Sequence, residues 1–361
     1  MLNFIARRVG VMVLTALALT FIVFYLTNLP PNLEKLARSE GSVRMSDASV
    51  LAWIEENGHG GSVIYRYSEW LGVSPGWTRT DEKGVTRGLC IRQEMDPATA
   101  PSYCGILQGN WGFSTIFKHP VIEVLGRALA ATGWLMLAVM LVMVPTSLLI
   151  GVLAGMREGT RTDRVLSAFA IASTATPEYV SGVILVALFA AATTGFSPLL
   201  ASWGWISGKT LFLGTATSAM DQITFWNFTL PVLTIALYGV GYIARMTRAS
   251  MTEVMTQQYI RTARLKGVGF RQVVLRHALR NALIAPFTVI MLQFPWLLNG
   301  VVIVETLFNY KGFGWTLVSA AGNNDIDLLL GCSVVAVFVV LVTQLISDIG
   351  YVFLNPRIRL A

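Results

Sequence analysis

The sequence predicts an all-α integral membrane protein with six transmembrane helices and a small extracytoplasmic domain between the first two. Its 361 residues are 54% hydrophobic and only 13% charged, whereas soluble domains carry about 25% charged residues. The mean hydropathy is +0.60. Because so few polar side chains could cover the surface of a water-soluble globule, a compact soluble enzyme, a collagen, a coiled coil and a disordered tail are poor candidates.

Six stretches of the chain are almost free of charge, and each approaches or exceeds the roughly 20 residues that cross a bilayer. Because lipid offers the backbone no hydrogen-bond partners, each stretch is predicted to be a helix. Prolines inside these stretches predict kinks, and Glu178 interrupts the third one directly after Pro177. The stretches comprise residues 9–29, 128–156, 165–195, 223–244, 281–304 and 328–347.

The first stretch follows Arg7 and Arg8, an arrangement that would also suit a secretory signal peptide. Its length and the absence of a small-residue cleavage site favour a retained anchor. We therefore expect an N-terminal anchor helix over residues 1–29, an extracytoplasmic domain over 30–126 and a five-helix core over 127–361.

The distribution of Lys and Arg predicts the orientation, because basic loops stay in the cytoplasm. With a cytoplasmic N-terminus, the inner segments carry 15 basic and 4 acidic residues, and the rest of the chain carries 12 and 16. The net charge of +7 thus reflects membrane orientation, which argues against a nucleic-acid partner. The apolar segment 196–222 is expected to lie on the surface or to re-enter, since a seventh span would invert this pattern. The inner segments are residues 1–8, 157–164, 245–280 and 348–361.

The predicted outer domain contains two of the three cysteines. Cys90 and Cys104 fall on the oxidising side of the membrane, whereas Cys332 lies in the last apolar stretch. A disulfide between Cys90 and Cys104 would stabilise a small domain. Two reduced, buried thiols are the alternative.

The chain offers little chemistry for catalysis or metal binding. Its three histidines, His59, His119 and His277, lie far apart and on both predicted sides of the membrane. Neither a phosphate-binding Gly-rich loop nor a nucleophile elbow is present in the sequence. We therefore predict no catalytic residue and no metal site, and energy for transport has to come from another subunit.

Polar residues inside apolar stretches are candidates for a translocation path or gate, because burying them in lipid is costly. Four residues are proposed on this ground, namely Glu178, Gln293, Asn299 and Glu305. Glu178 could instead cap the helix that restarts after Pro177, and Glu305 could simply be solvated at the outer interface. An ion-coupled carrier usually needs more buried carboxylates than these two, so the sequence argues against that class of protein.

The basic loop 245–280 contains the most informative local pattern. Within residues 259–267, Ile260, Ala263 and Gly267 fall on one helical face, and the basic residues fall largely off it. Gly267 then suits the left-handed position that ends a helix. Such a helix across the mouth of two spans could bind a cytoplasmic partner, or it could lie on anionic lipid.

Several sequence blocks resemble the integral-membrane permease subunits of ATP-binding-cassette importers, in the first-permease branch of the dipeptide/oligopeptide/nickel family. In that family a Glu-Ala-Ala motif, separated by three residues from a following Gly, couples the permease to its ATPase. Here Arg261, Thr262 and Ala263 occupy the first three places and Gly267 the last. The blocks are residues 4–8, 110–114, 151–155, 163–165, 229–233, 244–251, 259–267, 276–282, 304–308, 312–314 and 348–358.

The resemblance implies a multi-pass protein of the bacterial cytoplasmic (inner) membrane with both termini in the cytoplasm. The chain would form half of a heterodimeric path for peptides or peptide-like solutes, with a second permease, two ATPases that carry ATP and Mg²⁺, and an extracytoplasmic solute-binding protein. No cofactor is expected in this chain itself. A stand-alone secondary carrier or channel is the alternative.

The resemblance also assigns roles to two groups of residues. The outer loop before the last span is a candidate for docking the binding protein, with a plain interhelical loop as the alternative, and the cytoplasmic helix would couple to the ATPase. The docking residues are Lys311, Gly312, Phe313 and Gly314, and the coupling residues are Tyr259, Arg261, Thr262, Ala263 and Gly267.

Overall fold

A computed structural model describes residues 2–42, 44–80, 86–91 and 96–354. Side chains are described except for residues 2–5, 294–300 and 350–354. Residues 355–361, the end of the predicted core, lie outside the described residues. The secondary structure of the described residues is predominantly helical, as the sequence predicts.

The chain divides into two compact units, each described here by itself. The first unit comprises residues 1–127 and 316–339, and the second comprises residues 128–315 and 340–361. The unit that contains the predicted outer domain therefore also includes the first helix and part of the last. Whether residues 30–126 form a domain of their own stays a prediction.

Four helices and a short β-ribbon begin the chain. The ribbon pairs β1 (Thr78–Thr80) with β2 (Thr86–Gly88) in antiparallel register, with Arg79 opposite Arg87. Residues Pro97–Thr99 and Ile106–Gln108 form single 3₁₀ turns. The helices are α1 (Leu2–Thr27), α2 (Pro30–Glu40), α3 (Asp47–Glu56) and α4 (Val63–Leu71).

The rest of the chain is built from long helices joined by short ones. A π-helix over Val273–Ala278 and a 3₁₀ turn over Thr217–Met220 complete it. The helices are α5 (Val121–Gly155), α6 (Arg161–Ala175), α7 (Glu178–Phe189), α8 (Ser197–Ser202), α9 (Phe225–Met255), α10 (Gln258–Leu265), α11 (Phe270–Gln272), α12 (Leu279–Ala282), α13 (Ile284–Leu307), α14 (Phe313–Asn323) and α15 (Ile326–Leu354).

Among the described residues, four helices are long and apolar enough to cross a membrane, and the number reaches six if two bent helix pairs each count as one span. The predicted count of six is the upper end of this range and stays a prediction. The four single spans are Ala6–Thr27, Val121–Gly155, Phe225–Met255 and Ile326–Ile349.

The third apolar stretch is not one continuous helix. Arg161–Ala175 and Glu178–Phe189 meet at an angle of 109°. Thr176 has an extended backbone, with φ −92° and ψ 119°. The cause is Pro177, which lacks an N–H and disfavours the helical conformation of the residue before it.

A second bend of 50° separates the segment Phe270–Ala282 from Ile284–Gln293. Leu283 joins α12 to α13, and its ψ of −11° departs from ordinary helical values. Pro286 follows within one turn, and its ring occupies the space of the hydrogen bond that the Ala282 carbonyl would otherwise accept. The break therefore has a local covalent cause.

The first unit packs aromatic side chains against the C-terminal end of α1. Phe24 contacts Tyr67 and Trp70 of α4, with ring centroids 5.5 Å apart in both pairs. The Tyr67 hydroxyl also lies 2.8 Å from Thr20 Oγ1. Cys90 and Cys104 form a disulfide, with Cα atoms 5.4 Å apart.

In the second unit, α9 is the central helix. Its side chains Ile235 and Ile243 are fully buried, and they belong to a core that also contains Leu135 and Met143 of α5 and Val304 of α13. This packing is typical of a helix that neighbouring helices cover on most sides. The buried position of α9 therefore determines where α10, which follows Met255, begins.

Candidate functional site

The short helix α10 lies directly after α9 and is anchored by one apolar face. Ile260 is 0% exposed and Ala263 is 9% exposed, and both pack with Met251 of α9. Val273 and Val274 of the π-helix close the same cluster. The predicted helical face of Ile260 and Ala263 is thus confirmed as a buried face.

The end of α10 follows the expected geometry. Gly267 has a φ of +77°, the left-handed conformation that glycine adopts without a Cβ penalty. The Val268 N–H donates to the Ala263 carbonyl at 3.2 Å, and the Lys266 N–H donates to Thr262 at 3.1 Å. These bonds satisfy carbonyls that the helix end would leave unpaired.

The opposite face of α10 is exposed and combines apolar with basic groups. Leu265 is 81% exposed, and Tyr259 is 42% exposed while its hydroxyl accepts a hydrogen bond from Asn281 at 2.9 Å. The Arg264 guanidinium lies 5.9 Å from the ring centre of Phe270. Arg261, Thr262 and Lys266 are also exposed.

A shallow groove continues this surface along the next turns. It is lined by Phe270, Leu275, Arg271 and Arg276, together with Gly269 and Gln272. Phe270 and Leu275 are 43% and 55% exposed. Exposed apolar side chains among several arginines are typical of protein interaction surfaces.

Close packing joins the end of α5 to α9 beneath this surface. A Cβ atom at Gly155 would lie 2.6 Å from the Met251 Cβ and 2.7 Å from the Arg248 carbonyl oxygen. Only glycine therefore fits at Gly155. Met251 in turn contacts the buried face of α10.

One ion pair that the sequence analysis did not single out as a site ties α6 to α9. Asp163 is 3% exposed and accepts two hydrogen bonds from Arg248, from Nε at 2.5 Å and from Nη2 at 2.8 Å. The same carboxylate also accepts from the Gly159 N–H at 2.9 Å and from Ser167 at 3.1 Å. The partners lie 85 positions apart, so no local pattern reveals the pair.

The polar residues proposed for a translocation path do not form one cluster. Glu178 is half-buried in the first turn of α7, where the helix dipole favours its negative charge. Gln293 is 6% exposed, and its Nε2 has no partner among the described residues. Asn299 lies in α13, but its side chain is outside the described part.

Glu305 is fully buried, so the alternative of a solvated carboxylate is wrong. One carboxylate oxygen accepts from the Thr132 hydroxyl at 2.5 Å, and the other accepts from the Trp315 N–H at 3.1 Å. A Cβ atom at Gly312 would collide with this carboxylate. Glu305 therefore shapes the loop over residues 311–314.

That loop comprises the four residues expected to dock a binding protein. Phe313 is 8% exposed and donates its N–H to the Thr132 hydroxyl at 2.7 Å. Lys311 is exposed, and its Nζ lies 5.8 Å from the ring centre of Trp315. Of the four, Lys311 offers a side chain to solvent, whereas Gly312, Phe313 and Gly314 fix the backbone.

Within the described residues, no group of three or more His, Cys, Asp or Glu side chains is arranged to hold a metal ion. The geometry instead anchors α10 and the loop at Glu305 to neighbouring helices.

Sequence comparison places these features in a known family. Residues 147–360 match the family described as "Binding-protein-dependent transport system inner membrane component". This region includes α10, both bends and the Glu305 loop.

Individual relatives support the same family assignment. The chain is 33% identical over 256 residues to the probable peptide ABC transporter permease protein y4tP of Sinorhizobium fredii, covering 70% of this chain and 77% of that protein. It is 30% identical over 370 residues to the di/tripeptide transport system permease protein DppB of Pseudomonas aeruginosa, covering 99% of both chains. The glutathione transport system permease protein GsiC of Salmonella choleraesuis is 30% identical over 254 residues, covering 70% of this chain and 76% of that protein.

A solved structure described as an amino acid ABC transporter with histidines superposes with a TM-score of 0.46 at 14% identity, covering 64% of this chain and 94% of that one. The family match and the sequence relatives carry the assignment. The chain belongs to the family of binding-protein-dependent transport system inner membrane components, and it is a permease subunit of an ABC transporter.

Proposed function

We propose that the chain forms one half of the transmembrane path of an ATP-driven importer of peptides or peptide-like solutes. The names of its relatives support this substrate class, since they are described as permeases for peptides, di/tripeptides and glutathione. A second permease forms the other half of the path. Two ATPase subunits bind ATP and Mg²⁺ on the cytoplasmic side, and a solute-binding protein delivers the substrate outside.

The proposed orientation has six spans, with each bent helix pair forming one span and both termini in the cytoplasm. Eight basic residues in the single loop 245–280 support it, because such a loop resists translocation. In this orientation, α10 and its groove face the ATPases. The residues around Cys90 and Cys104 lie on the outer side.

The proposal rests on the observation that α10 has one buried face and one exposed face. Ile260 and Ala263 fix the helix to the membrane helices, while Leu265 extends into solvent with 81% of its surface exposed. An exposed leucine beside Arg261 and Arg264 suits an acidic, partly apolar groove on a partner protein. Lipid is a weaker fit, because a lipid-bound helix would place its apolar face outward.

The contacts of α10 also suggest how motion of the ATPases reaches the path. Because Ile260 packs against both Met251 of α9 and Val273 of the π-helix, displacement of α10 moves α9 and the segment leading to α13 together. The bend at Leu283 provides a place where that segment can pivot relative to α13. The proposed switch is therefore a rigid-body movement around this bend.

The coupling assignment can be tested with Leu265→Asp in the complete transporter. Leu265 belongs to neither of the buried clusters, so the variant should reach the membrane in normal amount. We expect co-purification of the ATPases and peptide uptake into reconstituted vesicles to fall by about tenfold or more, as for loss of a hot-spot contact. Leu51→Asp is the matched control, because Leu51 is 65% exposed on α3 and lies outside the proposed interface.

The same experiment separates the proposal from a stand-alone carrier or channel. Uptake that persists without ATP, or that is unchanged in Leu265→Asp, would reject the coupled importer. The hydrogen bonds of Glu305 already weigh against ion coupling through that residue, since Thr132 and Trp315 occupy both of its oxygens.

A further inference from the structure

A cavity lies entirely within the first compact unit. Its volume is about 280 Å³, and it is lined from α1 to α4, from the segment around Phe113 and from the start of α15. Because pockets for drug-sized ligands begin near 300 Å³, this cavity suits a smaller molecule. In the proposed orientation it lies on the outer side of the membrane.

Two buried charged groups line this cavity with unsatisfied polar atoms. Arg66 is 7% exposed and Glu69 is 4% exposed, and within the described residues Arg66 Nε and Glu69 Oε1 have no hydrogen-bond partner. The other contact of Arg66 is already fixed, because its Nη1 donates to Asn28 Oδ1 at 3.0 Å. Arg66 and Glu69 attract each other electrostatically, but this attraction gives neither atom a hydrogen bond. Folding rarely leaves buried polar atoms without a hydrogen-bond partner, since their desolvation is costly.

The two atoms without a partner need opposite hydrogen-bonding groups, and their side chains lie on one face of α4. Arg66 and Glu69 are three residues apart on α4, a spacing that makes side chains neighbours on a helix. Arg66 Nε needs an acceptor, and Glu69 Oε1 needs a donor. A single small molecule that carries a donor beside an acceptor would satisfy both atoms.

The charged side chains that line the cavity determine which charge is favoured on the donor group of the ligand. Four carboxylates line it, Glu40, Glu69, Asp325 and Asp327, against the single guanidinium of Arg66. His59 adds no positive charge at neutral pH, because burial lowers its pKa to about 4. A cationic donor is therefore favoured over a neutral one, and a ligand with a free carboxylate is disfavoured.

The remaining wall is aromatic. Trp53, Trp70 and Trp77 line the cavity, and the ring of Trp53 stacks on that of His59 with centroids 5.9 Å apart. Indole faces attract ammonium groups and pack well against apolar side chains. The wall therefore offers a place for both parts of an amphipathic amine.

We propose that this cavity binds an α-ammonium carbonyl group with an apolar side chain, that is, an amino-acid derivative or the N-terminal residue of a peptide. The ammonium donates to Glu69, the adjacent carbonyl accepts from Arg66 Nε, and the side chain packs on the tryptophans. The site is one for binding only, and no covalent step is involved. It stands whether or not the chain couples to ATPases.

Binding can be measured by calorimetry on the full-length chain in lipid nanodiscs, with L-phenylalaninamide as the first probe. N-acetyl-L-phenylalaninamide keeps the ring and the carbonyl but lacks the ammonium, so we expect it to bind at least about tenfold more weakly. Free L-phenylalanine adds a carboxylate, and we expect intermediate affinity. Tighter binding of L-phenylalanyl-glycinamide than of L-phenylalaninamide would assign the site to peptide ends, and the reverse order would assign it to single amino-acid derivatives.

A variant locates the bound probe in this cavity. Glu69→Gln retains the shape of the side chain but removes its charge, and we expect the affinity for L-phenylalaninamide to fall by about tenfold or more. Glu34→Gln is the matched control, because Glu34 is exposed on α2 and does not line the cavity. The control should bind like the unaltered protein.

Three results would overturn the proposal. These are no heat of binding for L-phenylalaninamide at millimolar concentration, equal binding of the acetylated probe, or equal binding by Glu69→Gln. The comparison of the two amides uses the unaltered protein, so it remains decisive even if Glu69→Gln misfolds. Because no ATPase takes part, failure here leaves the proposed import function untouched, and failure of import leaves this site untouched.

Discussion

Glu305 and Thr132 are joined by a hydrogen bond of 2.5 Å, although they lie 173 positions apart in the chain. The Thr132 hydroxyl also accepts from the Phe313 N–H at 2.7 Å, and the second Glu305 oxygen accepts from the Trp315 N–H. One buried carboxylate and one hydroxyl therefore hold the start of α14 in place. This arrangement makes the loop at Lys311 dependent on residues deep in two other helices.

We expect Thr132→Val to destabilise the protein by about 1–3 kcal/mol, because the isosteric change leaves a buried carboxylate oxygen and the Phe313 N–H unpaired. The measurement is the unfolding temperature of the purified transporter. If Lys311 helps to dock the binding protein, affinity for that protein should fall as well.

Thr288→Val provides the matched control for this change. The Thr288 hydroxyl donates to the Ile284 carbonyl of its own helix at 3.2 Å, and among the described residues it has no hydrogen bond to another helix. We expect its unfolding temperature to stay close to that of the unaltered protein. Equal effects of the two substitutions would show that the Glu305 network does not hold the loop.

The ion pair of Asp163 and Arg248 should contribute more to the stability of the protein than ion pairs at the surface. Asp163→Asn leaves the Arg248 guanidinium without its bidentate acceptor, and we expect a loss of about 2 kcal/mol, reduced from the value for a fully buried pair because Arg248 is 31% exposed. Unfolding of the purified transporter measures this loss.

The surface pair of Arg38 and Asp47 offers the comparison. Its atoms approach to 2.8 Å, but the Asp47 side chain is 96% exposed. Asp47→Asn should therefore change the free energy of unfolding by less than about 1 kcal/mol. Equal losses in Asp163→Asn and Asp47→Asn would mean that burial does not strengthen the inner pair.

Sequence reasoning succeeded where a feature is local. The amphipathic spacing of Ile260 and Ala263 and the terminating Gly267 lie within eight residues, so they predict α10 and its end. The break at Pro177 can likewise be predicted from a single residue, whereas the angle of 109° between the two helices cannot. Such an angle depends on what the two helices pack against.

Sequence reasoning failed where two distant residues meet. Nothing in the pattern around Glu305 indicates Thr132, and nothing around Asp163 indicates Arg248, because periodicity reports only on neighbours within one element. The unsatisfied atoms of Arg66 and Glu69 could not be foreseen either, since they depend on which side chains fold around them.

The disulfide of Cys90 and Cys104 makes a separate prediction. Non-reducing peptide mapping should find these two cysteines linked, while the buried Cys332 should react with an alkylating reagent only after denaturation. We expect Cys90→Ala to destabilise the protein by about 3 kcal/mol, because the bridge closes a loop of 14 residues. Alkylation of both cysteines in the folded protein would contradict the prediction.

The half-buried His59 predicts a dependence of stability on pH. Burial, and then the charge of Arg66, lowers the pKa of His59 from 6.5 to about 4, so the folded state binds fewer protons than the unfolded state between these values. Its contribution is therefore complete above pH 6.5 and is lost as the pH falls to about 4. Between pH 7 and pH 5 the loss should be about 2 kcal/mol.

His59→Gln should remove this loss, so its stability relative to the unaltered protein should rise as the pH is lowered from 7 to 5. Glu40 and Glu69 line the same cavity with pKa values raised by burial, but both proteins carry them and their effect cancels in the comparison. The exposed His119 provides the control substitution, His119→Gln. A pH-independent difference for His59→Gln would show that the imidazole is not shielded from protonation.

The turn after α10 offers a test with two glycines that differ in backbone conformation. A Cβ atom at Gly267 or at Gly269 would meet no atom within 4 Å, but Gly267 has φ +77° and Gly269 has φ −59°. Gly267→Ala should therefore cost about 1 kcal/mol in this turn, whereas Gly269→Ala should cost little. A penalty of that size shifts the population of the turn about fivefold.

If α10 couples the permease to its ATPases, peptide-stimulated ATP hydrolysis by the reconstituted transporter should fall further in Gly267→Ala than in Gly269→Ala. Gly269 lines the proposed groove, so its variant also measures the effect of a methyl group added at that surface. Gly267→Asn should recover part of the activity, because asparagine tolerates the left-handed conformation better than alanine does. Since neither added side chain contacts the described part of this chain, a larger loss in Gly267→Ala reports on the backbone conformation. Equal activities would show that the transporter does not require this turn, and the role assigned to Gly267 would be wrong.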